Sequence, residues 1–425
     1  MALMPEFFRF DRMRGEPSRR WAIGLCVSSR LDQLTAVVLG AEGRGLSLRA
    51  ELVGSLGVAM APDRTGPAAD PPGADNIGAQ ALAAWRCALA DNQAALATEL
   101  LAAVGLSASR VVAIGLHDPG LWHFGPDSSR HYLALSDAAC LAEQTGLNVI
   151  DAFPGRDLAG GGLGGPILAL AEWQLLSESN RTRLLLDLGR TCRLTYLPKA
   201  LRAAALPEVV AFDVGPGTAL IDALTERLTG GDQRCDVGGR LAAQGRRIAQ
   251  LVEHWLSDPF FQRPPPRWHP RGVRPERFLA DALRMALVEG WSVRDLLCSA
   301  THLIAESVAR AIDRWLPAEP IDEILVTGGG RHNGMLLGEI ARRTRAALRR
   351  VDDSGIPAES LEAAAAAVLA LFHLDQVPGN ALRATGADVP RMLGRLTPGS
   401  PQNWQRLVES LSGATPPVRS LRAAI

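Results

Sequence analysis

The stretch Leu184-Leu-Leu-Asp-Leu-Gly-Arg-Thr-Cys-Arg-Leu-Thr-Tyr-Leu197 indicates the fold of this chain. Two short apolar runs surround a polar turn at Gly189, which predicts a strand, a tight turn and a second strand. Residues 22–39 have the same layout of strand, short polar turn and strand. No sequence period relates the two pairs, so the repetition is one of architecture.

Short apolar runs alternate with longer helical patterns along most of the chain, which predicts an α/β fold. The strand candidates are residues 22–27, 35–39, 111–115, 147–150, 183–188, 192–197, 209–214 and 324–327. The helix candidates are residues 79–104, 136–144, 166–176, 218–228, 245–256, 292–315 and 333–348. The polar stretch 177–182 predicts a domain junction. The Pro-, Gly- and Asp-rich stretch 61–76 predicts an exposed insertion, and the residues beyond 396 a loosely attached tail.

Composition excludes several kinds of chemistry. The chain has 425 residues with 45 basic and 45 acidic side chains, and Lys199 is its single lysine. A Walker-type phosphate loop, a Schiff base or a lysine general base would all need Lys199, which has no Gly-x-x-x-x-Gly before it. Zero formal net charge gives no electrostatic reason to expect nucleic acid or an anionic membrane as a partner.

Other features predict a cytoplasmic protein without a membrane span. The six cysteines lie tens of residues apart without a Cys-x-x-Cys pair, which indicates reduced packing residues. Pro5, Glu6 and Arg9 interrupt the N-terminal apolar residues before a signal-peptide core can form. The alanine-rich stretch 363–374 is shorter than the ~20 residues that a membrane-spanning helix needs.

A run of three glycines is the clearest candidate for a nucleotide contact. In Ile324-Leu-Val-Thr-Gly-Gly-Gly-Arg-His-Asn333, a buried strand is followed by Gly328, Gly329 and Gly330 and then by a helix that Asn333 caps. Glycines let a flat ring or a phosphate approach the backbone, and free amides at a helix start favour an anion. The alternative is a tight turn that needs glycine for its dihedral angles alone.

Two further turns are candidates for metal and phosphate contacts. In Ala211-Phe-Asp-Val-Gly-Pro-Gly-Thr218, Asp213 ends a strand and would hold Mg²⁺ or its water shell, while Gly215 and Gly217 would admit phosphate. Alternatively, Asp213 only bonds to the free amides of the next helix.

The turn of the opening stretch has the pattern Asp-x-Gly-x-Thr between two strands. This layout resembles the hairpin with which sugar-kinase-like ATPases hold phosphate: Gly189 and Thr191 would donate, and Asp187 would position the metal or a water. Arg190 takes the place where a second glycine is expected, and it either adds a phosphate clamp or fills the pocket.

Asp157 is a candidate general base. It follows Arg156 between a strand and the glycine-rich stretch 160–165, where a flexible backbone would let a substrate reach the carboxylate. An aspartate that caps its own turn and pairs with Arg156 is the alternative. His117, His123 and His131 cluster nearby in the sequence, but no carboxylate or cysteine completes a recognised metal-ligand spacing, which favours substrate-facing or structural histidines.

The order of these motifs resembles one family, the anhydro-N-acetylmuramic acid kinases. These are bacterial cell-wall recycling enzymes of the actin-like, sugar-kinase ATPase superfamily, and the resemblance runs from about residue 22 to about residue 399. The stretches that carry it are Leu141-Ala-Glu-Gln-Thr-Gly-Leu-Asn-Val-Ile150, Arg156-Asp-Leu-Ala-Gly-Gly-Gly162, Phe212-Asp-Val-Gly-Pro-Gly217, Asp258-Pro-Phe-Phe261 with Pro264-Pro-Pro266, Val326-Thr-Gly-Gly-Gly330 with Asn333, Gly355-Ile-Pro357 with Glu362-Ala363, and Pro378-Gly-Asn380 through Thr385-Gly386.

The resemblance implies a two-domain actin-like (ribonuclease H-like) α/β ATPase fold with a cleft between the domains. We expect an N-terminal lobe over residues 1–180, a C-terminal lobe over 181–396 and a tail over 397–425. It further implies ATP and Mg²⁺ as cofactors, a small amino sugar as substrate and a homodimer.

The activity that the resemblance implies is ATP-dependent ring opening and 6-phosphorylation of 1,6-anhydro-N-acetylmuramic acid in peptidoglycan recycling. Asp157 falls on the family's catalytic base, and we expect Arg156, His117 and His123 to hold the sugar. The expected nucleotide contacts are Gly189, Thr191, Asp213, Gly215, Gly217, Gly328, Gly329, Gly330 and Asn333. Asp213 and Asp187 are expected to organise Mg²⁺.

The sequence departs from the family at the phosphate and substrate loops. The first phosphate loop, Ser-Gly-Thr-Ser-x-Asp-Gly-x-Asp in the family, is here Val27-Ser-Ser-Arg-Leu-Asp-Gln-Leu-Thr35. The family's Asn-Ile-Gly-Gly-Ile-Ala-Asn becomes Asp187-Leu-Gly-Arg-Thr-Cys-Arg193, and its Lys-Ser-Thr-Gly-Arg becomes Arg267-Trp-His-Pro-Arg271. Two alternatives therefore stay open: a catalytically dead pseudokinase that binds a cell-wall sugar or a protein partner, and a kinase or hydrolase for a different sugar.

Overall fold

The computed structural model of the chain describes residues 19–60, 78–124, 129–200 and 206–412. The predicted insertion at 61–76 and the part of the predicted tail after residue 412 lie outside these residues, whereas residues 397–412 of that tail are described and include the helix Pro401–Ser412 with the buried Leu407. The strands are β1 Arg20–Val27, β2 Gln33–Glu42, β3 Arg49–Ala59, β4 Val111–His117, β5 Leu121–Phe124, β6 Arg130–Leu133, β7 Val149–Asp151, β8 Arg183–Leu188, β9 Thr191–Leu197, β10 Val210–Pro216, β11 Glu323–Thr327, β12 Ala347–Arg350 and β13 Arg395–Thr397. The helices are α1 Ala79–Val104, α2 Ala138–Thr145, α3 Phe153–Ala159, α4 Ala169–Leu176, α5 Thr218–Leu228, α6 Ala249–Leu256, α7 Pro259–Gln262, α8 Glu276–Glu289, α9 Val293–Trp315, α10 Gly334–Thr344, α11 Leu361–Leu374, α12 Leu382–Thr385 and α13 Pro401–Ser412.

The two larger sheets share one strand arrangement. The first has the order β13-β7-β4-β1-β2-β3, and the second has the order β10-β9-β8-β11-β12. In each sheet three consecutive strands form an antiparallel meander. The first strand of each meander also pairs in parallel with a later strand, β4 in one sheet and β11 in the other. The strand pairs expected from the sequence are therefore confirmed as matching parts of two similar sheets.

Helices cover both faces of each sheet. The helices α4 and α11 lie between the sheets, in one core with residues of both, such as Ala22 of β1 and Leu185 of β8. The other face of the first sheet packs against α1 and α2, and that of the second against α5, α6, α8, α9 and α10. This burial on both sides explains why the central strands are apolar runs rather than alternating patterns.

The alanine-rich stretch 363–374 is helix α11, and it lies directly on the first sheet. A Cβ atom on Gly24 of β1 would lie 1.8 Å from the carbonyl oxygen of Ala363, and one on Gly115 of β4 would lie 2.1 Å from that of Ala366. Two glycines and the small alanine side chains thus permit backbone contact between helix and sheet. Within the described ranges, no helix is both long and apolar enough to cross a membrane.

The predicted elements are present, with some differences. The helix expected at 333–348 ends at Thr344, and β12 begins at Ala347, because the last part of that pattern pairs in parallel with β11. The elements β3, α8 and α11 were not expected. Buried on every side, α11 lacks an amphipathic pattern. Although they follow residue 180, α11 and β13 pack on the first sheet, and the division at 180 and 396 stays a prediction.

Candidate active site

Asp187, Arg193 and Asp213 lie side by side on three adjacent strands. The register pairs Asp187 of β8 with Arg193 of β9, and Arg193 with Asp213 of β10. Residues paired in this way project from the same face of a sheet. Arg193 Nε donates to Asp213 Oδ1 at 3.2 Å, and the backbone N–H of His269 donates to Asp213 Oδ2 at 3.3 Å. The Arg193 guanidinium is therefore paired with one carboxylate and faces the other.

Burial and the charge of Arg193 act in opposite directions on these carboxyl groups. Burial raises the pKa of Asp213, and the attraction of Arg193 opposes the rise. Burial raises the pKa of Asp187 to about 6, again against the attraction of Arg193. Burial alone would lower the pKa of Arg193, but Asp213, Asp187 and Glu172 raise it above its usual range. The cation and the carboxylates thus stabilise one another's charged forms.

A cavity of about 260 Å³ lies beside these residues. Ser28 and Gln33 line it from the turn between β1 and β2, and Glu172 and Glu362 line it from the helices between the sheets. The Glu172 carboxylate accepts a hydrogen bond from Thr195 Oγ1 at 2.8 Å. Burial raises the pKa of Glu172 to about 7, although this hydrogen bond opposes the rise. The cavity is therefore polar and rich in acidic groups.

Glycine-rich segments from three parts of the chain meet at the turn after β8. A Cβ atom on Gly217 would lie 2.1 Å from the carbonyl oxygen of Gly189. One on Gly328, whose φ is +76°, would lie 2.4 Å from Asp187 Oδ1. The Cβ position of Gly329 is open space, and this residue lines the cavity. The structure thus brings these predicted nucleotide contacts together at one edge of the cavity.

Other predicted nucleotide contacts are engaged within the protein: Gly215, Gly330, Thr191 and Asn333. Cβ atoms on the two glycines would lie 2.9 Å and 2.7 Å from neighbouring side chains. Thr191 Oγ1 accepts the backbone N–H of Val273 at 2.8 Å. Asn333 is the N-cap of α10 and accepts the N–H of Leu336 at 3.0 Å. In the structure these four residues support the turns rather than line the cavity.

Asp157 lies in α3 with its carboxylate fully buried. Its Oδ2 accepts the backbone N–H of Gly164 at 2.9 Å, and its Oδ1 accepts the side-chain amide of Asn380 at 2.8 Å. Gly162 lies directly against it, because a Cβ atom there would be 2.1 Å from Oδ2. The glycine-rich stretch thus holds the carboxylate in one orientation. Arg156 is exposed, and among the described residues no ion pair joins it to Asp157, as the alternative reading of this turn would require.

Two tryptophans connect the loop after Asp157 to the β10 strand. The rings of Trp122 and Trp268 meet edge to face, with 5.2 Å between their centroids. A Cβ atom on Gly165 would lie 2.5 Å from Trp268 Cε2. Because His269 donates to Asp213, this wall reaches from the Asp157 loop to the Arg193 pair.

The two histidines that were predicted to bind the sugar contact different parts of the structure. His117 ends β4, opposite Cys26 of β1, and burial lowers its pKa against the attraction of Glu362. His123 is exposed on β5 and stacks on His131 of β6 with 5.9 Å between the ring centroids. His117 therefore belongs to the cavity side of the site, whereas His123 belongs to the β5–β6 hairpin.

The two arginines of the altered phosphate loops meet near one acidic residue. Arg30 and Arg190 are exposed, and each lowers the pKa of Asp222 in α5, which burial raises to about 6. Arg30 comes from the turn after β1 and Arg190 from the turn after β8. The two turns thus bring cationic side chains to one place.

The arrangement around Asp187 and Asp213 does not fit a divalent ion held by both. Arg193 takes the register position between them, and both Asp213 oxygens accept hydrogen bonds from the protein. Across the described residues, no three His, Cys, Asp or Glu side chains form a group that could hold a metal ion.

Five residues were not predicted as site residues: Glu172, Glu362, Asn380, Trp122 and Trp268. Glu362 and Asn380 nevertheless lie in stretches that carry the family resemblance, which is a signal that could have found them. Glu172 is the single charged residue of an otherwise apolar helical stretch, which is a signal that sequence patterning provides. The others lie far from Asp157 and Asp187 along the chain, and only the fold brings them near.

The two similar sheets, in each of which the first strand of an antiparallel meander pairs in parallel with a later strand, define an actin-like (ribonuclease H-like) α/β fold, as predicted. A model of the anhydro-N-acetylmuramic acid kinase family matches residues 71–399. The chain belongs to that family.

Two relatives in sequence agree with this assignment. An anhydro-N-acetylmuramic acid kinase of Acaryochloris marina is 31% identical over 377 residues, which cover 88% of this chain and 98% of the relative. An anhydro-N-acetylmuramic acid kinase of Acidithiobacillus ferrooxidans is 36% identical over 307 residues, which cover 70% of this chain and 74% of the relative. Among solved structures, a ROK family glucokinase from Streptomyces griseus in complex with glucose and AMPPNP is 14% identical, with a TM-score of 0.38 over 82% of this chain and 98% of that chain.

Proposed function

We propose that this protein is an ATP-dependent kinase of an anhydro amino sugar, 1,6-anhydro-N-acetylmuramic acid, in peptidoglycan recycling. Membership of the family supports the substrate class. The observation that carries the proposal is the Asp157 carboxylate, held in one orientation by Gly164 and Asn380. A base that is oriented before substrate binds needs little reorganisation during the reaction.

In the proposed reaction, Asp157 accepts a proton from a water molecule while the oxygen of that water attacks the anomeric carbon of the sugar. The bond between that carbon and O6 breaks, and O6 forms a bond to the γ-phosphorus of ATP. The bond between the γ-phosphorus and the bridging oxygen then breaks, and ADP leaves. Because Gly162 lies on the carboxylate, the proposal requires the stretch 160–165 to move when the sugar and water enter.

We assign the nucleotide to the turn after β8. The open Gly329 backbone and the close-packed glycines around Gly189 and Gly328 support this assignment, since they present backbone rather than side chains to the cavity. Arg30 and Arg190 would face the phosphates, in place of the amides that family glycines supply. On the sugar side we propose Arg156, His117 and His123, the first and last of which are exposed.

Replacing the proposed base tests this function. Asp157→Asn keeps the size of the side chain but removes the proton acceptor, so ATP-dependent turnover of the anhydro sugar should fall by about 10² to 10⁴. Product formation is measured by mass spectrometry of the 6-phosphorylated sugar. Asp151→Asn is the matched control, because it also alters a buried carboxylate but lies at the Arg395 pair outside the cleft. Unchanged turnover in Asp157→Asn would contradict the assigned role.

Calorimetry separates this proposal from a pseudokinase that binds sugar or a protein partner. A kinase should bind Mg·ATP with micromolar affinity. Binding of the anhydro sugar without binding of Mg·ATP would contradict the proposal and favour the pseudokinase. Turnover of another anhydro sugar with ATP would retain the mechanism and change the substrate.

We also propose a homodimer in the cytoplasm, and two lobes that divide near residue 180. The family resemblance supports all three. Light scattering coupled to size-exclusion chromatography tests the dimer, and a single-subunit mass would contradict it.

A further inference from the structure

Arg193 is the charged residue at the centre of the acidic cleft. Its strand neighbours on either side are Asp187 and Asp213, and its Nε lies 3.2 Å from Asp213 Oδ1. Glu172 adds a third carboxyl group within electrostatic reach. We infer that the Arg193 guanidinium takes the place of a divalent cation between Asp187 and Asp213, so that the protein without nucleotide binds no metal ion there.

The alternative is the magnesium site that the sequence predicts from the same two aspartates. A metal ion at that position would need free carboxylate oxygens, and carboxylates bind hard cations through those oxygens. Both oxygens of Asp213 already accept hydrogen bonds, one of them from Arg193. A bound divalent cation would also lie beside a guanidinium that stays charged at any ordinary pH, which is unfavourable.

Other charged groups of the cavity do not replace Arg193. Arg331 donates to the carbonyl oxygen of Gly328 and forms an ion pair with Glu359, so its charge is already engaged. Glu362 Oε2 accepts a hydrogen bond from Cys26 Sγ at 3.4 Å, and its carboxylate adds negative charge to the cavity. Without Arg193, the acidic groups would repel one another and would form a site that attracts a metal ion.

Arg193 also has a role in catalysis, and the assignment of that role rests on the proposed function. If the protein is a kinase, the metal ion reaches the cleft only on the phosphates of ATP, and Arg193 fixes the carboxylates before ATP arrives. Arg193 is then a positioning residue, since no contact with substrate is assigned to it.

Titration with Mn²⁺ in the absence of nucleotide tests the inference. Calorimetry on the wild-type protein should give no saturable site up to about 1 mM Mn²⁺. Arg193→Asn, which introduces the residue of the family motif, should give one saturable site at least about tenfold tighter than any wild-type binding. Adding Asp213→Asn to that variant should abolish the site. Mn²⁺ should also raise the melting temperature of Arg193→Asn and leave that of the wild type unchanged.

The matched control is Arg395→Asn, which removes the partner of the buried Asp151 away from the cleft and should create no metal site. If Arg193→Asn does not fold, Arg193→Gln, which keeps a donor for Asp213, takes its place. A saturable wild-type site that Asp187→Asn removes would overturn the inference. A folded Arg193 variant that binds no metal ion would also overturn the inference. Because no nucleotide or sugar is present, failure of the kinase proposal leaves this test intact.

Discussion

Glu172 is a buried carboxylic acid in the wall of the cleft, and its titration makes stability depend on pH. Burial raises its pKa from 4.5 to about 7, while Thr195 and Arg193 oppose the rise and Asp187 and Glu362 add to it. The folded state therefore holds a proton that the unfolded chain releases at lower pH. Stability contributed by that proton is present below pH 4.5 and is lost as pH rises to about 7.

Glu172→Gln removes this titration and keeps an oxygen that accepts from Thr195. The unfolding free energy of the variant should be close to that of the wild type at about pH 4 and should exceed it by up to about 3 kcal/mol at about pH 8. Urea denaturation at the two pH values measures the difference. Glu99→Gln, on the exposed side of α1, is the control and should show no such change between them. A constant difference between Glu172→Gln and the wild type would contradict the prediction.

The sequence predicted individual residues of the site better than it predicted the groups that those residues contact. Asp157, Asp187, Asp213 and Gly328 stand out because they follow strand candidates or begin glycine-rich turns. Which group each one meets depends on strand register, as the position of Arg193 shows. A register is set by packing across the whole sheet, so local patterns do not specify it.

At the scale of elements, the contact between α11 and the first sheet depends on glycine in the strands. Gly115→Ala places a Cβ atom 2.1 Å from the carbonyl oxygen of Ala366, so helix or strand must shift. We expect a loss of about 1 to 3 kcal/mol in unfolding free energy, measured by urea denaturation. Gly338→Ala in α10 is the matched control, because no atom lies within 4 Å of its Cβ position. That change should stabilise by up to about 1 kcal/mol. Equal stability of Gly115→Ala and the wild type would contradict the packing argument.

Two of the differences between sequence patterning and structure have separate causes. Because α11 is buried on all sides, it carries no polar face and no helical period, whereas α9 is amphipathic and was predicted nearly to its ends. Residues 347 and 348 end the predicted helix 333–348 but belong to β12, which pairs in parallel with β11. Tertiary pairing overrides local preference in such short segments.

At the scale of the whole molecule, Arg30 and Arg190 come from turns of different sheets, and both act electrostatically on Asp222. If Arg30 and Arg190 clamp phosphate, Arg30→Ser and Arg190→Gly should each weaken Mg·ATP binding about 5- to 10-fold in calorimetry, since charged hydrogen bonds are lost. Arg227→Ser, an exposed arginine on the same helix as Asp222, should leave the affinity unchanged. Tighter binding in either loop variant would show instead that the guanidinium fills the phosphate position.

Sequence patterns were sufficient to predict the α/β class, the two strand pairs, the family and the loop that carries Asp157. These follow from local hydrophobic periods, from turn residues and from the order of motifs, all of which are properties of neighbouring residues. Only the tertiary structure decided that α11 lies between the sheets, that Asn380 holds Asp157 and that Arg193 lies between two aspartates. The first two contacts join residues far apart in the chain, and the third depends on strand register. The burial that raises the pKa values of Asp187 and Asp213 exists only once the sheets pack together.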